Sequence, residues 1–270
     1  MNIALNGVNY HWIEYGSGDA MALLLLHGFT GSASNWAAHL PMLAQGRRVL
    51  ALDLLGHDAS DAPDDPARYS IEQAAADVVG FCDALGLGRC ALLGYSMGGR
   101  LALYTALHYP QTVGRLILES ASPGLATEAE RAARRQSDAA LAAMLQQKGV
   151  AVFVDYWERV PLFASRAALP MDVQLALRAQ RLKNRVNGLA NSLIGMGTGA
   201  QPSLWDILPN LHTPTLLLTG AQDAKFTGIA RQMVALMTNA QHTVIADAGH
   251  TTHLEQPAAF DAALHRWLVY

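Results

Sequence analysis

Cys90-Ala91-Leu92-Leu93-Gly94-Tyr95-Ser96-Met97-Gly98-Gly99-Arg100 decides the fold. An apolar run ends at Gly94, a serine follows between two glycines, and the stretch from Gly99 to Tyr109 reads as helix. Strand, tight turn and helix in that order make a nucleophile elbow, in which a strained turn lifts the serine hydroxyl above a sheet. Glycines belong at both flanks because the turn presses backbone segments together where a Cβ would clash. The five-residue pattern alone also fits a glycine-rich turn with an incidental serine. The strand before it and the helix after it argue for the elbow.

Upstream, Asn2 to Leu5 and Val8 to Tyr15 flank Asn6-Gly7, a two-residue hairpin signal. Met21 to Leu26 is a continuous apolar run, as expected of a strand buried on both faces. The loop His27-Gly28-Phe29-Thr30-Gly31-Ser32 follows it, and then a helix is predicted around Trp36 to Ala44. Val49 to Leu52 reads as a strand, and Ser70 as the N-cap of a helix to Leu85. Downstream of the elbow, Arg115 to Leu118 is a strand. The alternation then stops, and residues 121–199 are Ala- and Arg-rich and helical in pattern. It resumes with a strand at Thr215 to Thr219, a helix to Met237, a strand at Thr243 to Ala246 and a closing helix from Gln256 to Leu268. Alternating strands and helices predict an α/β fold with a mostly parallel sheet covered on both faces. Residues 1–120 and 200–270 are then the core. Residues 121–199 are a helical cap, inserted before the penultimate strand and over the strand ends where open α/β sheets bind ligands.

The chain of 270 residues is 51% hydrophobic and 15% charged, so it has the means to bury a full core and shows no sign of extended disorder. A net charge of −3 argues against a general nucleic-acid binder. The charge is uneven: residues 121–200 hold eight Arg and two Lys against six Asp and Glu, a balance of +4 that leaves −7 for the rest. A basic insert in an acidic protein suggests an anionic small substrate, although solvated helix faces account for part of any such bias. Cys82 and Cys90, the two cysteines, read as small apolar packing rather than a disulfide or zinc site. The first residues lack a basic start and an apolar core, and no apolar run approaches the roughly 20 residues of a membrane span. The expectation is a cytoplasmic protein, monomeric or weakly homo-oligomeric, with no membrane insertion and no metal or organic cofactor.

A serine hydroxyl needs a histidine to take its proton and a carboxylate to fix the imidazole tautomer. With this elbow the partners come in chain order serine, acid, histidine. His250, in Asp247-Ala248-Gly249-His250 just past the last strand, is placed to reach back over Ser96. His253, His27 and His57 compete, each better read as a loop hydrogen-bonder. Three carboxylates compete for the acid: Asp223 on the loop after the penultimate strand, Glu119 at the end of the strand before the cap, and Asp247. Asp223 is favoured. An oxyanion hole needs two converging backbone N–H groups, which Met97 and Phe29 are placed to supply.

Together these features resemble the α/β-hydrolase superfamily over essentially the whole chain. Three segments narrow the resemblance: Gly94 to Arg100; Leu118-Glu119-Ser120-Ala121-Ser122-Pro123-Gly124-Leu125; and Gly249-His250-Thr251-Thr252-His253-Leu254-Glu255-Gln256-Pro257. With Asp223-Ala224-Lys225-Phe226 and Asp155-Tyr156-Trp157, they look like the 2-succinyl-6-hydroxy-2,4-cyclohexadiene-1-carboxylate synthases of the menaquinone pathway. That family uses a hydrolase triad for a non-hydrolytic elimination of pyruvate from a tricarboxylate. The resemblance implies substrate contacts at Tyr95, Arg100, Arg134, Arg181, Tyr156 and Trp157. Arg181 is the looser match because the spacing near Asn184 and Asn187 departs from some members. Arg131, Arg135 and Arg178 read as a solvated face. The alternative is a carboxylesterase or carbon–carbon bond hydrolase working through an acyl-enzyme. A third reading is a ligand-sensing protein that keeps only the pocket.

Overall fold

A computed structural model describes residues 1–269. Strands β1 (Asn2–Leu5) and β2 (Val8–Tyr15) form the N-terminal hairpin, its turn made by Asn6 and Gly7, both at positive φ. This is the geometry that two-residue hairpin turns require. β3 (Ala20–Leu26) leads through a 3₁₀ turn, Ala33–Trp36, to the short helix α1 (Leu40–Leu43) and β4 (Arg47–Leu52). A single helix from Trp36 to Ala44 is therefore not formed. Pro41 has no N–H to donate back along such a helix, so the chain restarts with the proline in a first turn, where no donor is needed.

After α2 (Ile71–Ala84), capped by Ser70, whose hydroxyl accepts from the Gln73 N–H at 3.3 Å, come β5 (Cys90–Tyr95), α3 (Met97–His108) and β6 (Val113–Glu119). The chain then leaves the sheet for α4 (Glu128–Trp157), broken at Gly149 where φ is +77°, a 3₁₀ segment (Pro161–Ala168), α5 (Met171–Arg181) and α6 (Val186–Met196). It returns for β7 (Thr215–Gly220), α7 (Ala224–Leu236), β8 (Ala240–Ile245), α8 (Thr252–Glu255) and α9 (Pro257–Val269).

The eight strands run in the order β1-β2-β4-β3-β5-β6-β7-β8, antiparallel at β1/β2 and β2/β4 and parallel elsewhere. Side chains alternate across the central strands. Leu24, Leu26, Leu92 and Leu116 pack toward α2 and α3, whereas Leu23, Leu25, Leu93 and Ile117 pack toward α1 and α9. Both faces are dry, which is why these strands read as unbroken apolar runs rather than alternating ones. Each such leucine contributes about 1.5–3 kcal/mol through burial. The layers hold the carboxyl ends of β5, β7 and β8 along one edge of the sheet, with β6 between the first two, and the three loops leaving those ends carry the site. Among the described residues, no helix is long and apolar enough to cross a membrane.

Candidate active site

Ser96 sits between β5 and α3 at φ +51°, ψ −106°, a conformation that the surroundings must impose on a non-glycine residue. Packing makes its neighbours glycine. A Cβ on Gly94 would lie 2.2 Å from the Gly98 carbonyl oxygen, and one on Gly98 would lie 2.4 Å from the Leu26 oxygen. The elbow thus presses directly on the end of β3.

His250 and Asp223 meet this serine. His250 Nε2 is 3.1 Å from Ser96 Oγ, and His250 Nδ1 is 2.7 Å from Asp223 Oδ2. The other oxygen of Asp223 accepts the Phe226 N–H at 3.1 Å, capping α7, so the helix fixes the carboxylate that orients the imidazole. Glu255 holds the histidine loop from behind: its two oxygens accept the N–H groups of Gly249 and Thr251 at 2.6 and 3.0 Å, one on each side of His250. Glu255 falls within the segment Gly249 to Pro257, but nothing in its sequence context marks this role.

The competing groups have other employment. Glu119 is fully buried and accepts from the Thr252 hydroxyl at 2.7 Å, the His253 N–H at 3.0 Å and the His253 ring at 2.8 Å. Burial alone would raise its pKa, but the hydrogen bonds from the His253 ring, the Thr252 hydroxyl and the His253 N–H bring it below the usual value. Burial pushes His253 down, so a neutral ring donates to an ionised Glu119. Asp247 is exposed. His27 faces the Gly28 carbonyl at 2.8 Å and accepts the Leu54 N–H at 3.0 Å, while His57 faces the Leu55 carbonyl at 3.1 Å. Burial holds His27 well below its ordinary value and His57 at about 4. Both rings brace the loop bearing Phe29. Neither the Phe29 N–H nor the Met97 N–H donates to another group among the described residues. Met97 opens α3, where first-turn donors lack helical partners.

Phe29, Tyr95, Ser96, Met97, Arg100 and Arg134 share a cavity of about 1010 Å³, including its open mouth. Trp157, Leu162, Phe163 and Ser192 close it from the inserted helices, and Lys225 and Phe226 from α7. Arg100 is 8% exposed and donates only to neutral acceptors, Gln201 Oε1 at 2.7 Å and the Met196 carbonyl at 2.8 Å. Burial, and next the nearby Arg134, pull its pKa down to about 10. Arg134 is freer and pairs with Asp138 at 2.8 Å.

Two expected substrate residues lie elsewhere. Arg181 is buried but pairs with Glu158 at 2.8 Å and faces a smaller cavity behind Tyr95. The path from α5 to α6 sets its side chain there, with Asn184 tied to the Thr30 carbonyl at 3.1 Å. Tyr156 is 47% exposed on an outer groove, because it and Trp157 are adjacent on one helix and point in different directions. Arg131 and Arg135 pair with Glu128, and Arg178 with Asp155 and Glu158, as expected of a solvated face. Gln201, Phe163 and Ser192 were not foreseen. Nothing in their sequence context marks them, since only the folded path brings Phe163 and Ser192 to the cavity and Gln201 to Arg100.

An elbow serine, an acid after the seventh strand and a histidine after the eighth define the class: the chain belongs to the alpha/beta hydrolase fold family, whose model matches residues 22–257. Within that class it is 41% identical, over 99% of its own length and 98% of the relative's, to a Bacillus subtilis protein provisionally assigned as a 2-succinyl-6-hydroxy-2,4-cyclohexadiene-1-carboxylate synthase. The synthase of that name from Serratia proteamaculans is 33% identical, with 95% and 96% covered. The solved structure of MenH from S. aureus superposes with a TM-score of 0.92 at 34% identity, covering 96% of this chain and 98% of that one. An esterase from Thermogutta terrifontis superposes at 0.84 with 29% identity, covering 99% and 96%.

Proposed function

We propose that this protein eliminates pyruvate from 2-succinyl-5-enolpyruvyl-6-hydroxy-3-cyclohexene-1-carboxylate, a step of menaquinone biosynthesis. The observation that carries this reading is Arg100. A guanidinium kept from water with no carboxylate in hydrogen-bond contact is costly, and an anionic ligand relieves that cost. A pocket for neutral esters gains nothing from it. Arg134 and Lys225 line the same cavity and suit the other carboxylates of a tricarboxylate. The synthase relatives support the same reading.

In this mechanism His250 takes the Ser96 proton, and the serine oxygen removes the proton from the ring carbon bearing the succinyl ketone. The electron pair of that C–H bond moves through the ring double bond and breaks the C–O bond to the enolpyruvyl group, which leaves as enolpyruvate and takes the proton held on His250 to become pyruvate, restoring the neutral imidazole. Charge gathering on the ketone oxygen is met by the Phe29 and Met97 N–H groups. Asp223 stabilises the imidazolium that forms. No acyl-enzyme forms, no water is consumed, and the steps call on no metal or organic cofactor. Residues 121–199 act as the cap of a core made of 1–120 and 200–270, and Trp157 and Phe163 shield the reacting carbon from water. We assign the enzyme to the cytoplasm, as a monomer or weak homo-oligomer acting on a small anion, without nucleic acid or membrane partner.

The test is to supply the purified protein with the cyclohexene substrate and follow pyruvate, with a neutral nitrophenyl ester in parallel. Pyruvate release that disappears in Ser96→Ala supports the synthase. Ester turnover without pyruvate release replaces it by a carboxylesterase.

A further inference from the structure

Arg166 differs from most of the arginines in the inserted segment. Arg131, Arg134, Arg135, Arg178 and Arg181 all pair with carboxylates, whereas Arg166 donates only to two hydroxyl groups. It lies in the 3₁₀ segment, half-buried, with its guanidinium 3.9 Å over the Phe163 ring. Nε donates to Thr251 Oγ1 at 2.8 Å, and a terminal nitrogen donates to the same oxygen at 2.6 Å and to the Tyr95 phenol at 3.0 Å. The two hydroxyl oxygens are themselves 3.0 Å apart. Tyr95 is the residue before Ser96, and Thr251 is the residue after His250.

We propose that Arg166 is a positioning residue for proton transfer between Ser96 and His250, its planar fork tying the neighbour of the nucleophile to the neighbour of the base. This rests on the roles given above to Ser96 and His250, not on the identity of the substrate. Arg166 does not face the serine cavity and reaches Tyr95 from behind, so it acts through these two side chains.

Counting protons sharpens the argument. Arginine only donates, so Thr251 Oγ1, accepting twice from it, has both lone pairs filled. The Thr251 hydroxyl hydrogen must then go to Tyr95. Tyr95 Oη accepts from Thr251 and from Arg166, and its own proton is left free. The cluster therefore has one arrangement rather than two, and the segments on either side of it are held in one register. Ser96 benefits because its positive-φ conformation persists only where the surroundings over-determine it. A misplacement on the order of 1 Å costs about a hundredfold in rate, so partial loosening of a 3.1 Å contact should cost about tenfold.

The test reads the serine directly, with diisopropyl fluorophosphate as probe. Ser96 Oγ bonds to phosphorus, the P–F bond breaks, fluoride leaves, and the serine proton passes to His250. Arg166→Met should slow this labelling by about tenfold and lower kcat for pyruvate release by a similar factor, with KM nearly unchanged. Thr251→Val should do the same, and the double variant should be little worse than either single one, because both remove one clamp. Arg166→Lys should recover part of the loss, since an ammonium keeps the charge but not the fork. Labelling at the wild-type rate with a raised KM for the tricarboxylate would make Arg166 an anion ligand and overturn the proposal. Unchanged labelling and kcat with a lower Tm, or fully additive effects in the double variant, would overturn it too. If Arg166→Met does not fold, Arg166→Lys and Thr251→Val decide by the same criteria. A wild-type protein that labels but releases no pyruvate removes the synthase reading and leaves the labelling comparison intact.

Discussion

Arg100→Met separates the synthase from an esterase most sharply. In the native structure the guanidinium spends two donors on Gln201 and the Met196 carbonyl, and three N–H groups remain for a ligand. A carboxylate held by such a group in a partly dry cavity gains about 1.5–3 kcal/mol. At about 1.4 kcal/mol per factor of ten, losing it should lower kcat/KM on the tricarboxylate by roughly tenfold to a hundredfold or slightly more. Stability is a poor readout here. The substitution strands two buried acceptors at about 1–3 kcal/mol each but relieves the burial of a cation. The informative assay is pyruvate release set beside the labelling of Ser96 by diisopropyl fluorophosphate, which presents no carboxylate. Pyruvate release should collapse and labelling should hold near the wild-type rate. Arg100→Lys should recover only part of the loss, because a point charge cannot reproduce the fork. Equal and small effects on both reactions would refute the reasoning and favour the esterase.

Arg134→Ala should weaken pyruvate release less than Arg100→Met, because that side chain is freer and shared with Asp138; kcat/KM on the tricarboxylate measures it. Ser96→Ala, Asp223→Asn and His250→Ala should each cost about 10⁴-fold or more in kcat, and the doubles little beyond the singles, by steady-state kinetics. Glu119→Gln should lower Tm while leaving kcat within about threefold of wild type, whereas Asp223→Asn should do the reverse. His57 has an ordinary value of 6.5 and a folded value of about 4, so the unfolded chain binds more protons between them and about 3 kcal/mol is lost as pH falls through that window. Urea unfolding of His57→Asn at several pH values should show a correspondingly shallower decline. Leu92→Ala, fully buried in β5, should cost about 2–5 kcal/mol and lower Tm by roughly 5–20 °C.

The parts of the fold legible in the sequence are those where local chemistry and tertiary demand coincide. Leu23 to Leu26 must be apolar on both faces, Asn6-Gly7 must take positive φ, and Gly94 and Gly98 have no room for a Cβ. Each leaves a mark in composition. The contact of Ser96, His250 and Asp223 was legible through chain order, because each follows a strand whose run can be read. Pro41 stands inside the expected helix from Trp36 to Ala44, and its missing donor is why that helix does not form. Which inserted arginine faces the serine cavity was not legible, since Arg134, Arg166 and Arg181 are alike as letters. Their different faces are set by the break at Gly149, the 3₁₀ segment after Pro161 and the path into α6, none of which has a period.

Two histidine–carboxylate pairs stand three residues apart, and their contrast bears on the catalytic role proposed for the first. His250–Asp223 and His253–Glu119 are both buried and nearly equal in length, at 2.7 and 2.8 Å. Burial and contact distance therefore do not distinguish them. The difference lies in what else each member touches. Asp223 divides its oxygens between a helix cap and the imidazole, and the far nitrogen of that imidazole meets Ser96. A proton taken from Ser96 thus creates a charge beside the carboxylate that already orients the ring. Glu119 is saturated by a hydroxyl, an amide and the ring of His253, and no hydroxyl of the elbow meets that ring. Its charge is balanced by three donors anchoring the start of α8, the segment that follows His250. In the proposed mechanism one pair moves a proton because its imidazole ends on Ser96. The other holds the loop that keeps it there.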